Sequence, residues 1–344
     1  MDWKKLALGV LLGSTLAVTG CGDDDGGTDG GGTDATTDSG GGGTPLPGEC
    51  ADGECIFVVN ELAIPDVTVM GGVETTQGFN IDGRVSDDTD AQGCFQPDFT
   101  SPDGREGIDN QLATLKPTLA GFIGDLDMTI SDALADGSVI LLMELTGAES
   151  TDDSDVGLNL YLGEVPGGGA PMLADGKIAA GQTFDINPAS VDSSGNPLVS
   201  VPASTVGGRV TAGPLDLPLT LAVDASTSIT LNIRNASVQA TVGDGTLTDG
   251  IIGGELNIDE LVAIATGLGG GVDEGTIRTV LEPIADLNPN GDMVCQSVSV
   301  GLTFAGVDAI KGAIASPPPD MDAGTADAGP GDAGAADAGV GDGG

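Results

Sequence analysis

Apolar residues recur along the chain with two periods. Val156, Leu158, Leu160 and Leu162 alternate with Gly157, Asn159 and Tyr161, the pattern of a strand with one buried face. Leu217, Leu219, Leu221 and Val223 repeat it. So do Ile229, Leu231 and Ile233, with Thr230, Asn232 and Arg234 on the opposite face. Past Asn235 the apolar set moves by one place and continues as Ala236, Val238, Ala240 and Val242. A slip of one residue would turn every later side chain to the wrong face, so a bulge or tight turn is predicted near Asn235. Val298, Val300, Leu302 and Phe304 form the last alternating strand. Ile56 to Asn60 reads as a short apolar strand, and Ile140 to Leu145 is nearly all apolar, as a central strand would be.

Helical spacing appears four times. Ile108, Leu112, Leu115 and Leu119 share one face, with Pro117 as a predicted kink. Leu126, Ile130 and Leu134 make a second helix, and Ile258, Leu261, Val262 and Ala265 a third. Ile277, Val280, Leu281 and Ile284 make the fourth, with Asp273 placed to cap it. Many strands with about four helices between them predict a mainly β or α+β fold, an antiparallel β-sandwich or open barrel.

The two ends lack these periods. Lys4 and Lys5 precede an apolar run, Leu6 to Val18, with the layout of a secretory signal peptide and too short to span a bilayer as a helix. It ends at Val18-Thr19-Gly20-Cys21. Gly22 to Gly48 is then almost entirely Gly, Asp, Thr, Ser and Pro. Such a segment buries too little to offset the entropy of folding, and is expected to be a disordered tether. After Pro317-Pro318-Pro319, Asp322, Asp327, Asp332, Asp337 and Asp342 recur every five residues, mostly within Asp-Ala-Gly. No strand or helix matches that period, so a disordered acidic tail is expected. The expected division is a signal peptide over 1–20, a lipid anchor and tether over 21–49, a folded β-rich domain over 50–316 and the tail over 317–344.

The tetrapeptide ending at Cys21 resembles a bacterial lipobox. The resemblance implies that the Cys21 thiol is diacylated, that the chain is cut before it, and that the new N-terminus is acylated, giving a firm anchor. Gly22, where an Asp would favour inner-membrane retention, implies the outer membrane. With "VTGCGDDDGGTDGGG" and the Asp-Ala-Gly tail, the chain is similar to Asp/Gly-rich surface lipoproteins of the myxobacterial kind. That likeness implies an envelope location and no particular activity.

Charge and composition then narrow the function. The full chain carries −43. Fourteen of its 53 acids lie outside 50–316, so that span holds 39 acids against eight bases, near −31. Phosphate backbones would be repelled, which argues against a nucleic-acid partner. A membrane, through the lipid, and a protein or small molecule at the cell surface remain as partners. Histidine is absent, which removes Ser-His-Asp and Cys-His nucleophiles and most zinc sites. The expected role is a non-catalytic surface binding, adhesion or structural module. A carboxylate-based hydrolase such as a glycosidase is the alternative, and a carrier of a hydrophobic ligand a weaker one.

Apart from Cys21, four cysteines remain: Cys50, Cys55, Cys94 and Cys295. An even number in an exported chain suggests two disulfides, with three possible pairings. Cys50 with Cys55 closes a small loop, leaving Cys94 with Cys295. Asp286, Asn288, Asn290 and Gly291 match the first half of a calcium loop, with Asp292 offering another oxygen. Position twelve is Ser297, where an EF-hand has glutamate. A second acidic patch, containing Asp87, Asp88 and Asp90, sits just before Cys94. If Cys94 joins Cys295, the two loops approach, and calcium held by Asp286, Asn288, Asn290, Asp292, Asp88 and Asp90 is the expected cofactor. A third cluster is Asp98, Asp103 and Asp109.

Overall fold

The computed structural model describes residues 43–48, 50, 53–123, 125–224, 227–267 and 273–315. The expected signal peptide and Cys21, nearly all of the tether, and the acidic tail lie outside the described residues. In chain order the elements are β1 (Glu54–Ala63), β2 (Thr68–Met70), β3 (Val73–Thr75), α1 (Leu112–Ile123), α2 (Leu126–Asp136), β4 (Leu141–Thr146) and β5 (Asp153–Glu164). Next come β6 (Leu173–Ala174), β7 (Lys177–Ile178), β8 (Gln182–Ile186), β9 (Val199–Val206), β10 (Arg209–Asp224), β11 (Thr227–Gly243) and β12 (Thr246–Asn257). The last are α3 (Ile258–Gly267), α4 (Glu274–Leu281), β13 (Leu287–Pro289) and β14 (Cys295–Ile314).

Eight strands close on themselves in the order β1, β4, β5, β9, β10, β11, β12, β14 and back to β1, every pairing antiparallel. The expected class is thus realised as a closed barrel. Closure removes the exposed strand edges that a sandwich would have to protect. Inward-facing Phe57, Val59, Met143, Leu158, Val238 and Phe304 belong to one buried cluster. Eight strands enclose a space that such side chains fill. On β11 the outward residues are polar: Asn232, Arg234, Gln239 and Thr241 alternate with buried Ile233, Val238 and Ala240. The slip predicted at Asn235 is present. Asn235 has φ 48°, and the pairing of β11 with β12 shifts register between Arg234 and Ser237.

Both ends of the barrel are closed. At one end α2 contributes Ile130, Ala133 and Leu134 to the interior cluster. Asp125 caps this helix by accepting from Met128 N, and Gly137 ends it in the left-handed conformation. At the other end Leu46, 2% exposed, joins the same cluster, its N–H bonded to Glu149 O at 3.1 Å. A second cluster covers the outside of β1, β4 and β5. Val58, Ile140, Leu142 and Tyr161 pack there against Phe184 and Ile186 of β8. β8 pairs parallel to the end of β14 and antiparallel to the end of β5. Burial on two faces explains why Ile56–Asn60 and Ile140–Leu145 show no alternation. α1, α3 and α4 gather around Leu115, Val262, Leu281 and Val298 in a third cluster.

Between β1 and α1 the chain forms a strap over the outer face of β12 and β14. The Asn110 amide donates to Gln77 O at 2.8 Å and Gly301 O at 3.3 Å, and its Oδ1 accepts from Gly301 N at 2.8 Å. Only glycine fits at 301, because a Cβ would lie 2.6 Å from Asn110 Nδ2. Gly253 likewise gives room to the Phe79 ring. The strap accounts for one difference from the sequence reading. The first helix starts at Leu112 and not at Ile108, because Ile108 exchanges both backbone hydrogen bonds with Phe99 at 2.9 Å. Pro117 lies inside that helix, and Asp273 caps α4 through Thr276 N. The fourth helix ends at Leu281, and Glu282–Ile284 continues as a 3-10 turn around Pro283.

Candidate functional site

Both disulfides form as expected. Cys50 and Cys55 are joined with Cα atoms 4.8 Å apart, and Cys94 and Cys295 with Cα atoms 5.9 Å apart. The second bond ties the acidic turn of the strap to the first residue of β14. Around it, Gln92 Nε2 contacts Met293 Sδ at 3.4 Å, and Gln96 Nε2 donates to Pro283 O at 2.8 Å.

The residues expected to bind calcium are brought into one region but not to one point. Asp286 is buried; its Oδ1 accepts from Ser299 N at 2.8 Å and its Oδ2 from Ser299 Oγ at 2.5 Å. The Asn288 amide donates to the Glu255 carboxylate and to Ser297 Oγ. Asn290 Oδ1 accepts from the N–H groups of Asp292 and Val294 at 2.9 and 3.1 Å. Asp292 and Asp88 are exposed, and Asp90 holds Arg84 at 2.5 Å. Leu287 and Pro289 are held by pairing with β14, and Asn288 between them, at φ 58°, has its amide bound to Glu255 and Ser297. A calcium loop must instead curl them around a centre. Among the described residues, no three His, Cys, Asp or Glu side chains are placed to hold a metal ion.

A different grouping emerges from the third acidic cluster. Asp98 and Asp109 share a hydrogen bond, with Asp286 close enough to repel both. Asp98 Oδ2 accepts from Ser86 N at 2.5 Å, and Asp109 Oδ2 from Ile81 N at 2.6 Å. Burial pushes Asp109 up to about 8, against the backbone bond from Ile81, with Asp98, Asp286 and Asp82 pushing the same way as burial. Burial also pushes Asp286 up to about 7, although Ser299 favours the charged form through two hydrogen bonds. Asp98 is raised by burial as well. At neutral pH Asp109 therefore keeps its proton and donates it to Asp98. Asp103 does not join them: it pairs with Arg105 at the surface.

A network that the sequence did not announce lies on the outer face of β4 and β5. Glu144 Oε1 is 2.7 Å from Lys311 Nζ, while Oε2 accepts from Tyr161 OH at 2.8 Å and Asn159 Nδ2 at 2.9 Å. Burial opposes the charge on Glu144, but these three donors outweigh it and hold the carboxyl below its usual range. Lys311 also sits 4.8 Å above the Tyr161 ring. The available signal was one lysine, Lys311, in a strand whose other charged residue is Asp308.

One cleft, of ≈ 490 Å³, opens between the turn at Pro102–Arg105 and the irregularity in β12 before Gly250. Gln77, Asp103, Arg105, Arg209, Asp249 and Phe304 line it. The three clustered carboxyls do not. No protein-family model, curated protein or solved structure matches this chain.

Proposed function

We propose that this chain is an exported, lipid-anchored protein of the cell envelope, held at the outer membrane through Cys21 and acting as a non-catalytic surface module for binding, adhesion or structure. The carrying observation is the pair of disulfides, above all the bond between Cys94 and the buried Cys295. Bonds of this kind persist in oxidising compartments outside the cytoplasm. The lipobox-like Val18–Cys21 and the Gly/Asp-rich segment after it supply anchor and spacer.

The same geometry weighs against the other readings. Glycoside hydrolysis needs two carboxyl groups facing a substrate. Asp98, Asp109 and Asp286 face backbone N–H groups, a serine and one another. A hydrophobic carrier needs an empty interior, whereas apolar side chains fill this barrel. A charge near −31 over the folded span favours partners with a cationic group over nucleic acid.

The test is Cys21→Ser expressed in a bacterium with a lipoprotein pathway. The variant is expected in the soluble exported fraction with both disulfides formed, while the wild type sediments with outer membranes. A variant that still sediments with membranes after a high-salt wash overturns the anchor. Free thiols in freshly isolated wild type overturn export.

A further inference from the structure

We infer that the cleft between Arg209 and Asp249 is a binding site for a small zwitterion of the amino-acid class, its carboxylate on Arg209, its ammonium on Asp249 and its apolar side chain against Pro102 and Ile251. The argument begins with the eight bases of the folded span. Seven of them, Arg84, Arg105, Lys116, Lys177, Arg234, Arg278 and Lys311, are ion-paired. Arg209 makes no ion pair among the described residues, although that span offers nearly five acids for every base. Its Nε is buried and has no hydrogen-bond partner. No carboxylate among the described residues reaches this guanidinium, and its planar fork matches a carboxylate in bidentate geometry.

The rest of the lining suits such a ligand. Arg105 is fixed through Nε alone, at 3.2 and 3.1 Å from the two Asp103 oxygens. Its terminal nitrogens are left to donate beside Arg209. Asp249 makes no side-chain hydrogen bond or ion pair among the described residues, and is held in the left-handed region at φ 50° where β12 breaks register with β14. An unpaired cation and an unpaired anion thus line one cleft without neutralising each other. Pro102 and Ile251 supply apolar surface between them. A volume of ≈ 490 Å³ is in the range of small-molecule sites. The field of the whole protein selects further. A purely anionic ligand would be repelled on approach, whereas a zwitterion brings its own positive charge.

The experiment uses the folded, disulfide-bonded chain and three probes at millimolar concentration: L-leucine, N-acetyl-L-leucine, which lacks the ammonium, and L-leucinamide, which lacks the carboxylate. Binding is read from the Arg209 Nε–H resonance and by calorimetry. Leucine is expected to bind saturably and to move that resonance, with each of the other two at least fivefold weaker. Arg209→Gln should abolish leucine binding. Asp249→Asn, a change at an exposed position that leaves the barrel intact, should weaken leucine at least fivefold and leave N-acetyl-leucine unchanged. The inference is overturned if leucine does not bind, if either blocked probe binds as well as leucine, or if Asp249→Asn leaves leucine binding unaltered.

Discussion

Replacing Asp109 by asparagine should remove a penalty that the fold carries at neutral and alkaline pH. Asp109 is 3% exposed, and its Oδ2 accepts from the N–H groups of Ile81 and Asp82 at 2.6 and 3.3 Å. Its folded pKa is raised from the ordinary 3.8 to about 8. The sign follows from proton counts. Between those two values the unfolded chain has released the proton and the folded chain still holds it. Stability therefore falls as pH rises through this window, and the contribution is complete only below the unfolded value. At about 1.4 kcal/mol per pH unit, the loss from about pH 5 to about pH 8 is on the order of 4 kcal/mol. Asp98 and Asp286, both raised by burial, titrate with Asp109, so the slope belongs to the cluster. Asparagine copies the protonated form: its oxygen can accept from Ile81 and its amide can donate to Asp98, but it has no proton to lose. Urea unfolding of both proteins with disulfides intact, at intervals from about pH 5 to about pH 8, isolates the effect, because surface repulsion contributes equally to both curves. The variant should match the wild type near pH 5 and exceed it by several kcal/mol near pH 8. Parallel curves would mean that Asp109 is ionised in the fold. A variant weaker than wild type at pH 8 would mean that the Ile81 and Asp82 donors hold a carboxylate there.

Two further outcomes follow from the packing. Cys94→Ser opens a loop of 201 residues, so it should cost on the order of 5 kcal/mol by the chain-entropy relation, while Cys55→Ser, with a separation of 5, should cost much less; comparable losses in thermal unfolding would refute the clamp role of the long bond. Gly301→Ala drives a methyl to 2.6 Å from Asn110 Nδ2 and 2.8 Å from Gln77 O, and should destabilise by about 1–3 kcal/mol as overpacking does; a change below about 0.5 kcal/mol in denaturant unfolding would mean that the strap is not seated on β14.

Much of the barrel was legible in the sequence because its physics is local. Alternation in Val156–Leu162 and in Val298–Phe304 marks one face as buried whatever lies opposite, and the parity change across Asn235 marks a bulge because strands have a period of two. Asp273 and Thr276 are neighbours on the chain, so the cap of α4 needed no tertiary information. The cysteines allowed the pairing to be stated by elimination. β12 escaped notice because Thr246–Asn257 is buried on both sides, covered by the strap through Gly253 and facing the interior with Leu247, Ile252 and Leu256; glycines there serve close approach, and no alternation survives. Closure of the sheet also lay beyond reading, since it depends on β1 meeting β14 across almost the whole chain. The chemistry divides in the same way. A sequence match could place Asp286, Asn288 and Asn290 two residues apart, but whether they converge depends on the tertiary fold, which gives Asp286 to Ser299 and Asn288 to Glu255 and Ser297. Asp98, Asp109 and Asp286 share one buried region only because the strap is laid on β14. Arg209 and Asp249, 40 residues apart in sequence, line one cleft only because β11 alone separates their strands in the barrel wall. Local periodicity reports which way a side chain points, and the tertiary fold alone decides what it meets.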